Sequence, residues 1–363
     1  MKYIGVDLHT TQLTICYRDE LGDEEIATVK ISQIEEFLKQ INRMDKVAFE
    51  ATGNSLYLQN MLQTVMPLEN IYVVNTLQFK LISKSVKKTD KNDARLLAEY
   101  LSKDMLPEAR LRSESDNQII NLIETRDMLV SSNTAFKNQI HNILLKLGIK
   151  LKSSEVSGKK KRRNLVERYE LAGVYKFQVE FALSNIEHNY AEIAKLEAKL
   201  EELKSTMKQV ENLSSICGIG DKSAMGIKAI VGDINDFESP DKLAAYVGLC
   251  PRVNNSNETV CHGRITKRGN KLVRKLLVQC AWVSIRYNPL LKEFYTVLKK
   301  KKPAGKAIIA VARKLVYQIY YTLKYNWYFT NTENTEKEIK IFLFWLILQC
   351  VGNIKVTLKR QIW

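Results

Sequence analysis

The sequence predicts an α/β domain at the N-terminus, a long helical middle region and a mainly α C-terminal domain. Three observations predict it. Short β-branched and aromatic runs alternate with helix-period segments in the first third of the chain; strand signals vanish from about Ser115 to Leu213, where apolar residues recur at helical spacing; and glycine-bearing turns separate further helical stripes from Leu213 to about Thr330. At 363 residues the chain is long enough for two or three units of roughly 150 residues or fewer. The expected boundaries are 1–112, 113–212 and 213–330, followed by an atypical tail, 331–363.

In the first domain, Tyr3 to Leu8, Leu13 to Tyr17 and Ile26 to Ile31 read as strands, with a turn at Leu21 to Asp23, which makes a three-strand meander. Ser32 and Glu35 are spaced as a capping box, and Ile34, Phe37, Leu38 and Ile41 form the buried stripe of the helix it opens. A strand from Lys46 to Glu50, a helix from Ser55 to about Val65 and a strand from Ile71 to Asn75 follow. Antiparallel strands leading into alternating helix and parallel strand is the order of the ribonuclease-H-like fold.

In the middle region Leu183, Ile186, Tyr190, Ile193, Leu196, Leu200, Leu203, Met207 and Val210 are spaced 3, 4, 3, 3, 4, 3, 4, 3, a heptad-like seam with one stammer. The helix from about Asn117 to Leu147 is its partner, either within one chain as a hairpin or across a coiled-coil dimer, with Ser157 to Arg163 between them as a solvated basic loop. In the third domain Leu213 to Gly220 resembles the glycine-bearing turn of helix-hairpin-helix modules, whose exposed amides contact phosphate. Helical stripes continue through Leu272, Leu276 and Leu277, then Ile308, Val311 and Leu315.

Fifty-six Lys and Arg against forty Asp and Glu leave a net charge of +16, which attracts polyanions, and nucleic acid is the expected partner. The longest apolar run, Ile341 to Val351, is too short for the roughly 20 residues of a membrane span. Six scattered cysteines without a CxxC pair read as reduced thiols, and the N-terminus opens straight into a strand rather than an export signal, so the expected location is the cytoplasm.

Asp7 closes the first predicted strand and Glu50 the fourth, while Asp90 and Asp93 lie three apart where a helix begins, Asp90 as a candidate N-cap. Neighbouring strand ends converge on one sheet edge, and four carboxylates gathered there repel one another unless a cation neutralises them. Hard oxygen ligands suit Mg²⁺ or Mn²⁺, and a two-metal cluster serves phosphodiester chemistry.

The segments Gly5 to Asp7, Phe49 to Gly53 and Lys88 to Ala94 resemble the DEDD motifs of insertion-sequence recombinases whose N-terminal domain is similar to the RuvC Holliday-junction resolvase. Tyr246 to Pro251, Ser256 and Gly263 to Asn270 resemble the C-terminal transposase domain of the same family, so that the likeness spans roughly residues 2 to 325. It implies a transposase or recombinase acting on donor and target DNA, guided by an element-encoded bridge RNA and working as a dimer or tetramer. It further implies Mg²⁺ (or Mn²⁺) held by Asp7, Glu50, Asp90 and Asp93, and Ser256 as the nucleophile of a covalent phosphoserine–DNA intermediate. Many relatives carry glycine directly after the serine, where this chain has Asn257.

The residues around Ser256 agree: from Arg252 to Arg286 there are eight Lys or Arg against one acid, Glu258. Arg252, Arg264, Lys267, Arg268, Lys271, Arg274 and Lys275 are the candidate phosphate contacts. Ser256 itself sits in what reads as a polar, Asn-rich loop, with Ser223, Ser239 and Ser284 as rival serines in the same domain. Two other functions remain open on sequence: a branched-DNA endonuclease using the carboxylates alone, and a decayed element that only binds nucleic acid.

Overall fold

The computed structural model describes residues 1–83, 89–110, 112–256, 259–267 and 269–328, the backbone alone for 82, 83, 160, 163, 253–256 and 259–262. Two compact units result, Met1–Glu114 and Ser115–Trp363.

The first unit is built on a five-stranded sheet. β1 (Tyr3–Leu8) pairs antiparallel with β2 (Gln12–Arg18), which pairs antiparallel with β3 (Glu24–Lys30), giving the predicted meander. A short helix α1 (Ile34–Leu38) leads to β4 (Lys46–Glu50), which lies parallel to β1. Helix α2 (Ser55–Leu62) then leads to β5 (Ile71–Val74), parallel to β4, and the strand order is β3-β2-β1-β4-β5. This mixed sheet fits the ribonuclease-H-like class.

Side-chain alternation divides the sheet into two faces. Ile4, Val6 and Leu8 of β1 and Val47 and Phe49 of β4 bury in a core shared with Ile34, Phe37 and Leu38 of α1 and Leu58 and Leu62 of α2. The other face carries small residues, Gly5 and Ala48, and packs against α4 (Asp90–Ser102), reached through α3 (Thr76–Ser83).

Local assignments differ from expectation at three places. The chain enters α1 through a 3₁₀ turn, Ile31–Gln33, so no Ser32 capping box forms; the Ile31 amide is tied to the Thr11 carbonyl, and the tight turn starts before Ser32 can act as a cap. Asn75 does not end a strand: its side chain accepts from the Leu77 and Gln78 amides and opens the unforeseen α3. Asp90 is not an N-cap, because Thr89 takes that role and accepts from the Asn92 amide at 3.3 Å, leaving Asp90 and Asp93 together in the first turn.

The second unit is mostly helical. α5 (Glu114–Lys146) and α9 (Gly173–Lys204) run antiparallel, joined laterally by Arg126 to Glu197, Asn133 to Asn189 and Lys137 to Tyr190. Between them lie α6 (Ser153–Ser157), α7 (Lys159–Arg163) and α8 (Leu165–Arg168). The expected solvated basic loop is therefore folded: Arg162 is buried, with its guanidinium on Glu187 and on the Val156 and Ser157 carbonyls.

The heptad-like seam is also reassigned. The buried positions of α9 include Val179, Ala182, Ile186, Asn189, Ile193 and Leu200, so Asn189 is buried against α5 while Tyr190 stays exposed at the edge of the pair, and the stammer disappears. The helix stops at Lys204, Gln209 adopts a left-handed backbone (φ 69°), and Met207 and Val210 lie outside the long helix.

α10 (Val210–Ser214) and α11 (Asp221–Val231) flank the predicted glycine turn. Gly218 has φ +95°, and a Cβ there would fall 2.2 Å from the Ser284 hydroxyl oxygen, so only glycine fits both the backbone and the neighbour. α12 (Pro240–Tyr246), α13 (Lys271–Tyr287), α14 (Pro289–Lys301) and α15 (Ala304–Tyr325) complete the unit, and Leu272, Leu276, Leu277, Ile308, Val311 and Leu315 enter its main core as their spacing predicts. Between α12 and α13 the chain forms a two-stranded hairpin, β6 (Pro251–Ser256) and β7 (Thr259–Ile265), so Ser256 ends a strand rather than lying in a polar loop. The tail 331–363, with its apolar run, falls outside the described residues. Among the described residues no helix is long and apolar enough to cross a membrane.

Candidate active site

The site forms where the small-residue face of the sheet meets the first turn of α4. Gly5 and Asp7 project to the same side of β1, and Ala48 and Glu50 to the same side of β4, each acid one pleat beyond a small residue. A Cβ on Gly5 would lie 2.1 Å from the Ala94 carbonyl oxygen and 2.5 Å from the Ala98 amide nitrogen. Glycine thus lets the backbone of α4 rest directly on β1, and the Asp90–Asp93 turn of the helix reaches the strand end that carries Asp7. The register that pairs Val6 with Phe49 brings the next residues, Asp7 and Glu50, to the same sheet edge.

Sequence reasoning missed His9. Its Nε2 lies 3.0 Å from Asp7 Oδ2 and 3.3 Å from Asp90 Oδ2. Ligand atoms of Asp7, His9 and Asp90 all fall within 4.8 Å of one another, the one such trio of His, Cys or acidic residues among the described residues. The signal was present in the Asp7-Leu8-His9 spacing, since residues two apart at a strand end share a side. Glu50 and Asp93 stand outside this trio but within electrostatic reach of Asp7.

Burial pushes the Asp7 carboxyl above its ordinary pKa, and the Asp90 and Asp93 charges add to the rise against the opposing pull of His9. Glu50 is raised for the same first reason, with Lys80 and a Thr76 hydrogen bond opposing and Asp93 and Asp7 adding. Two carboxylates held above their usual range beside two more form a site that favours an added positive charge. A cleft of about 580 Å³ opens beside it, touching His9, Thr10, Thr52, Gly53, Asn54 and Tyr57. The donor set, four carboxylates and one imidazole, fits a divalent cation of the Mg²⁺ or Mn²⁺ class.

The described residues among those predicted for the second unit are spread over the hairpin, the segment after it and α13. Ser256 closes β6 opposite Thr259. Arg252, Arg264, Lys267 and Lys271 are exposed, Lys267 with a left-handed backbone, while Arg268 lies outside the described residues. Arg274 directs its guanidinium to the Val247 and Gly269 carbonyls, and Lys275 pairs with Asp127 at 2.7 Å. Two of the rival serines have structural duties: Ser239 caps α12, and the buried Ser284 lies 2.7 Å and 2.8 Å from the Cys217 and Cys280 carbonyls.

Residues 4–149 match a transposase family of the DEDD type, and residues 210–296 match the transposase IS116/IS110/IS902 family. Both matches are in the order and position of the two motif sets. The chain belongs to the IS110-type DEDD transposases. Members of this family catalyse DNA strand transfer. The transposase for insertion sequence element IS1111A of Coxiella burnetii is 27% identical over 328 residues, covering 86% of this chain and 87% of that protein. A probable family 20 transposase of Pseudomonas aeruginosa is 24% identical, covering 85% and 89%. The pilin gene-inverting protein of Moraxella lacunata is 27% identical, covering 70% and 73%.

Proposed function

We propose that this transposase recombines donor and target DNA through a metal-dependent site made of Asp7, Glu50, Asp90 and Asp93, with Ser256 as the attacking group. The observation that carries the reading is the close approach of Asp7 and Asp90 where β1 meets the first turn of α4, with Glu50 and Asp93 within electrostatic reach. Mg²⁺ or Mn²⁺ bound there would supply charge neutralisation to a phosphodiester. Asp7 and Asp90 would hold it most directly, and Glu50 and Asp93 would complete the negative field.

In this reading the Ser256 hydroxyl oxygen bonds to phosphorus while the bond from phosphorus to one sugar oxygen breaks. The serine proton goes to a base and the departing oxygen takes up a proton. The protein–DNA phosphodiester conserves bond energy, so the strand can be rejoined without a nucleotide cofactor. The exposed Arg252, Arg264, Lys267 and Lys271, together with Arg268, supply positive charge for the nucleic acid backbone. The net charge of +16 also suits a guide RNA paired to both DNAs, and two or four copies of the chain would provide the active halves.

The carboxylates belong to the first unit and Ser256 to the second. A second reading therefore follows from the self-contained acidic site: activation of water and release of free DNA ends, without serine. Trapping labelled DNA on denatured protein separates the two. The expected result is label on the parental protein, none on Ser256→Ala, and near-parental nucleic acid binding by that variant. Metal-dependent cleavage with no adduct would remove the serine from the mechanism and leave the carboxylate site. A structured RNA that co-purifies with the protein and is required for pairing with target DNA is the expected sign of guidance; full activity on DNA without RNA would exclude it.

A further inference from the structure

We infer that His9 is a nitrogen ligand of the divalent cation, completing a shell with Asp7 and Asp90 that the four acids alone do not make. The inference rests on the carboxylate reading of the site. Ligands about 2.1 Å from an octahedral ion stand about 3.0 Å apart along each edge of the octahedron. His9 Nε2 lies 3.0 Å from Asp7 Oδ2 and 3.3 Å from Asp90 Oδ2, close to that spacing on both sides. Glu50 and Asp93 join no such trio.

The position of the ring is built by the fold. The His9 amide donates to the Gln12 carbonyl at 3.1 Å, closing the β1–β2 turn, and the Asn54 side-chain amide donates to the His9 carbonyl at 3.0 Å. The residue is thus held between the turn and the loop that follows Glu50, so the strand carrying Asp7 and the strand carrying Glu50 both fix where the imidazole stands. Part of the side chain stays open, with 46% relative exposure, which leaves an approach for the ion from the cleft lined by Thr52, Asn54 and Tyr57.

A nitrogen donor changes which ion the site prefers. Oxygen-only shells suit Mg²⁺, whereas an imidazole strengthens binding of transition ions relative to Mg²⁺. The site is therefore selective for Mn²⁺ over Mg²⁺ to a degree set by His9, and that selectivity is separable from the number of carboxylates.

The test is pulsed electron paramagnetic resonance of Mn²⁺ bound to the full chain without nucleic acid, together with Mn²⁺ titration in competition with Mg²⁺. The parental protein is expected to show coupling of Mn²⁺ to a histidine nitrogen. His9→Gln should lose that coupling, keep its fold by circular dichroism, and bind Mn²⁺ at least about tenfold more weakly, since loss of even an outer-shell partner costs about 10–100-fold. The preference for Mn²⁺ over Mg²⁺ should shrink in the same variant. Mn²⁺ bound by the parental protein without nitrogen coupling would overturn the assignment of His9 and leave the carboxylate site standing. If the parental protein binds no Mn²⁺, or Asp7→Asn binds it equally well, the carboxylate reading itself fails and His9 falls with it.

Discussion

Replacing Gly5 by Ala tests whether the close approach of α4 to β1 builds the site. A Cβ at this position meets the Ala94 carbonyl oxygen at 2.1 Å, the Ala98 amide nitrogen at 2.5 Å and the Leu97 Cβ at 2.9 Å. Two of these are backbone atoms, which cannot swing aside, so the helix must retreat by about 1.3 Å to restore ordinary contact at 3.4 Å. Overpacking of this kind costs about 1–3 kcal/mol. For a unit of this size that lowers the melting temperature by about 5–15 °C. The retreat also carries Asp90 and Asp93 away from Asp7, and a misplacement of about 1 Å can cost about a hundredfold in rate. Differential scanning calorimetry without metal, followed by cleavage of labelled DNA in saturating Mn²⁺, measures the two effects. Gly53→Ala is the control from the neighbouring motif, since a Cβ there meets nothing within 4 Å, and its melting temperature should stay near parental. A Gly5→Ala protein with parental melting and parental cleavage would refute the reasoning.

Asp7→Asn should abolish cleavage yet raise the metal-free melting temperature: the folded carboxyl titrates above its unfolded value, so its penalty is absent below the ordinary pKa of 3.8 and develops as pH rises through the higher folded value. Melting followed in chelator from acid to neutral pH should therefore fall less steeply in the variant than in the parent, and an equal slope would show that Asp7 carries no such penalty. In the helix pair, Asn133→Leu or Asn189→Leu alone strands a buried amide and should cost about 1–3 kcal/mol, while the double variant should recover most of the loss; urea unfolding that gives additive losses would contradict the pairing. Arg264→Ala combined with Lys267→Ala should flatten the plot of log affinity against log salt by about one to two units. Arg274→Ala should instead lower the melting temperature with little change in that slope, because its guanidinium serves the Val247 and Gly269 carbonyls, and a pure salt effect would reverse this assignment.

Much of the first unit is legible in the sequence alone. The predicted bounds of β1 and β4 coincide with the observed strands, Tyr3–Leu8 and Lys46–Glu50, because both are short, β-branched or aromatic runs with an acid at or next to the end. The acids could be named for the same reason: strand ends of parallel neighbours must share an edge. Local hydrogen-bond competition was less visible. Ser32 had the chemistry of a cap, but the tie between Ile31 and Thr11 preceded it. Thr89 and Asp90 are both good caps, and only the helical register chose the threonine.

In the second unit, apolar spacing located the long helices but not the face they bury. Tyr190 looks more hydrophobic than Asn189, yet Asn189 pairs with Asn133 at 2.9 Å and Tyr190 remains at the edge, where Lys137 reaches its hydroxyl. The Lys and Arg run at 159–163 read as solvent-facing, and Arg162 turned inward because Glu187 and two carbonyls satisfy it there. The hairpin β6–β7 escaped notice because its Asn-rich strand has weak intrinsic β-propensity and is held by pairing with β7.

By itself the sequence determined the alternation of strands and helices, the basic character and the family motifs, and it singled out four acids as candidates, all of which depend on residue type and spacing along the chain. Tertiary structure decided the rest. It set how close α4 comes to Gly5, which of the acids gather with His9, and which cations are left for nucleic acid once Arg274 and Lys275 have met their partners. These are distances between residues remote in sequence, and they follow from packing, where one missing Cβ moves a helix and one carbonyl engages a guanidinium.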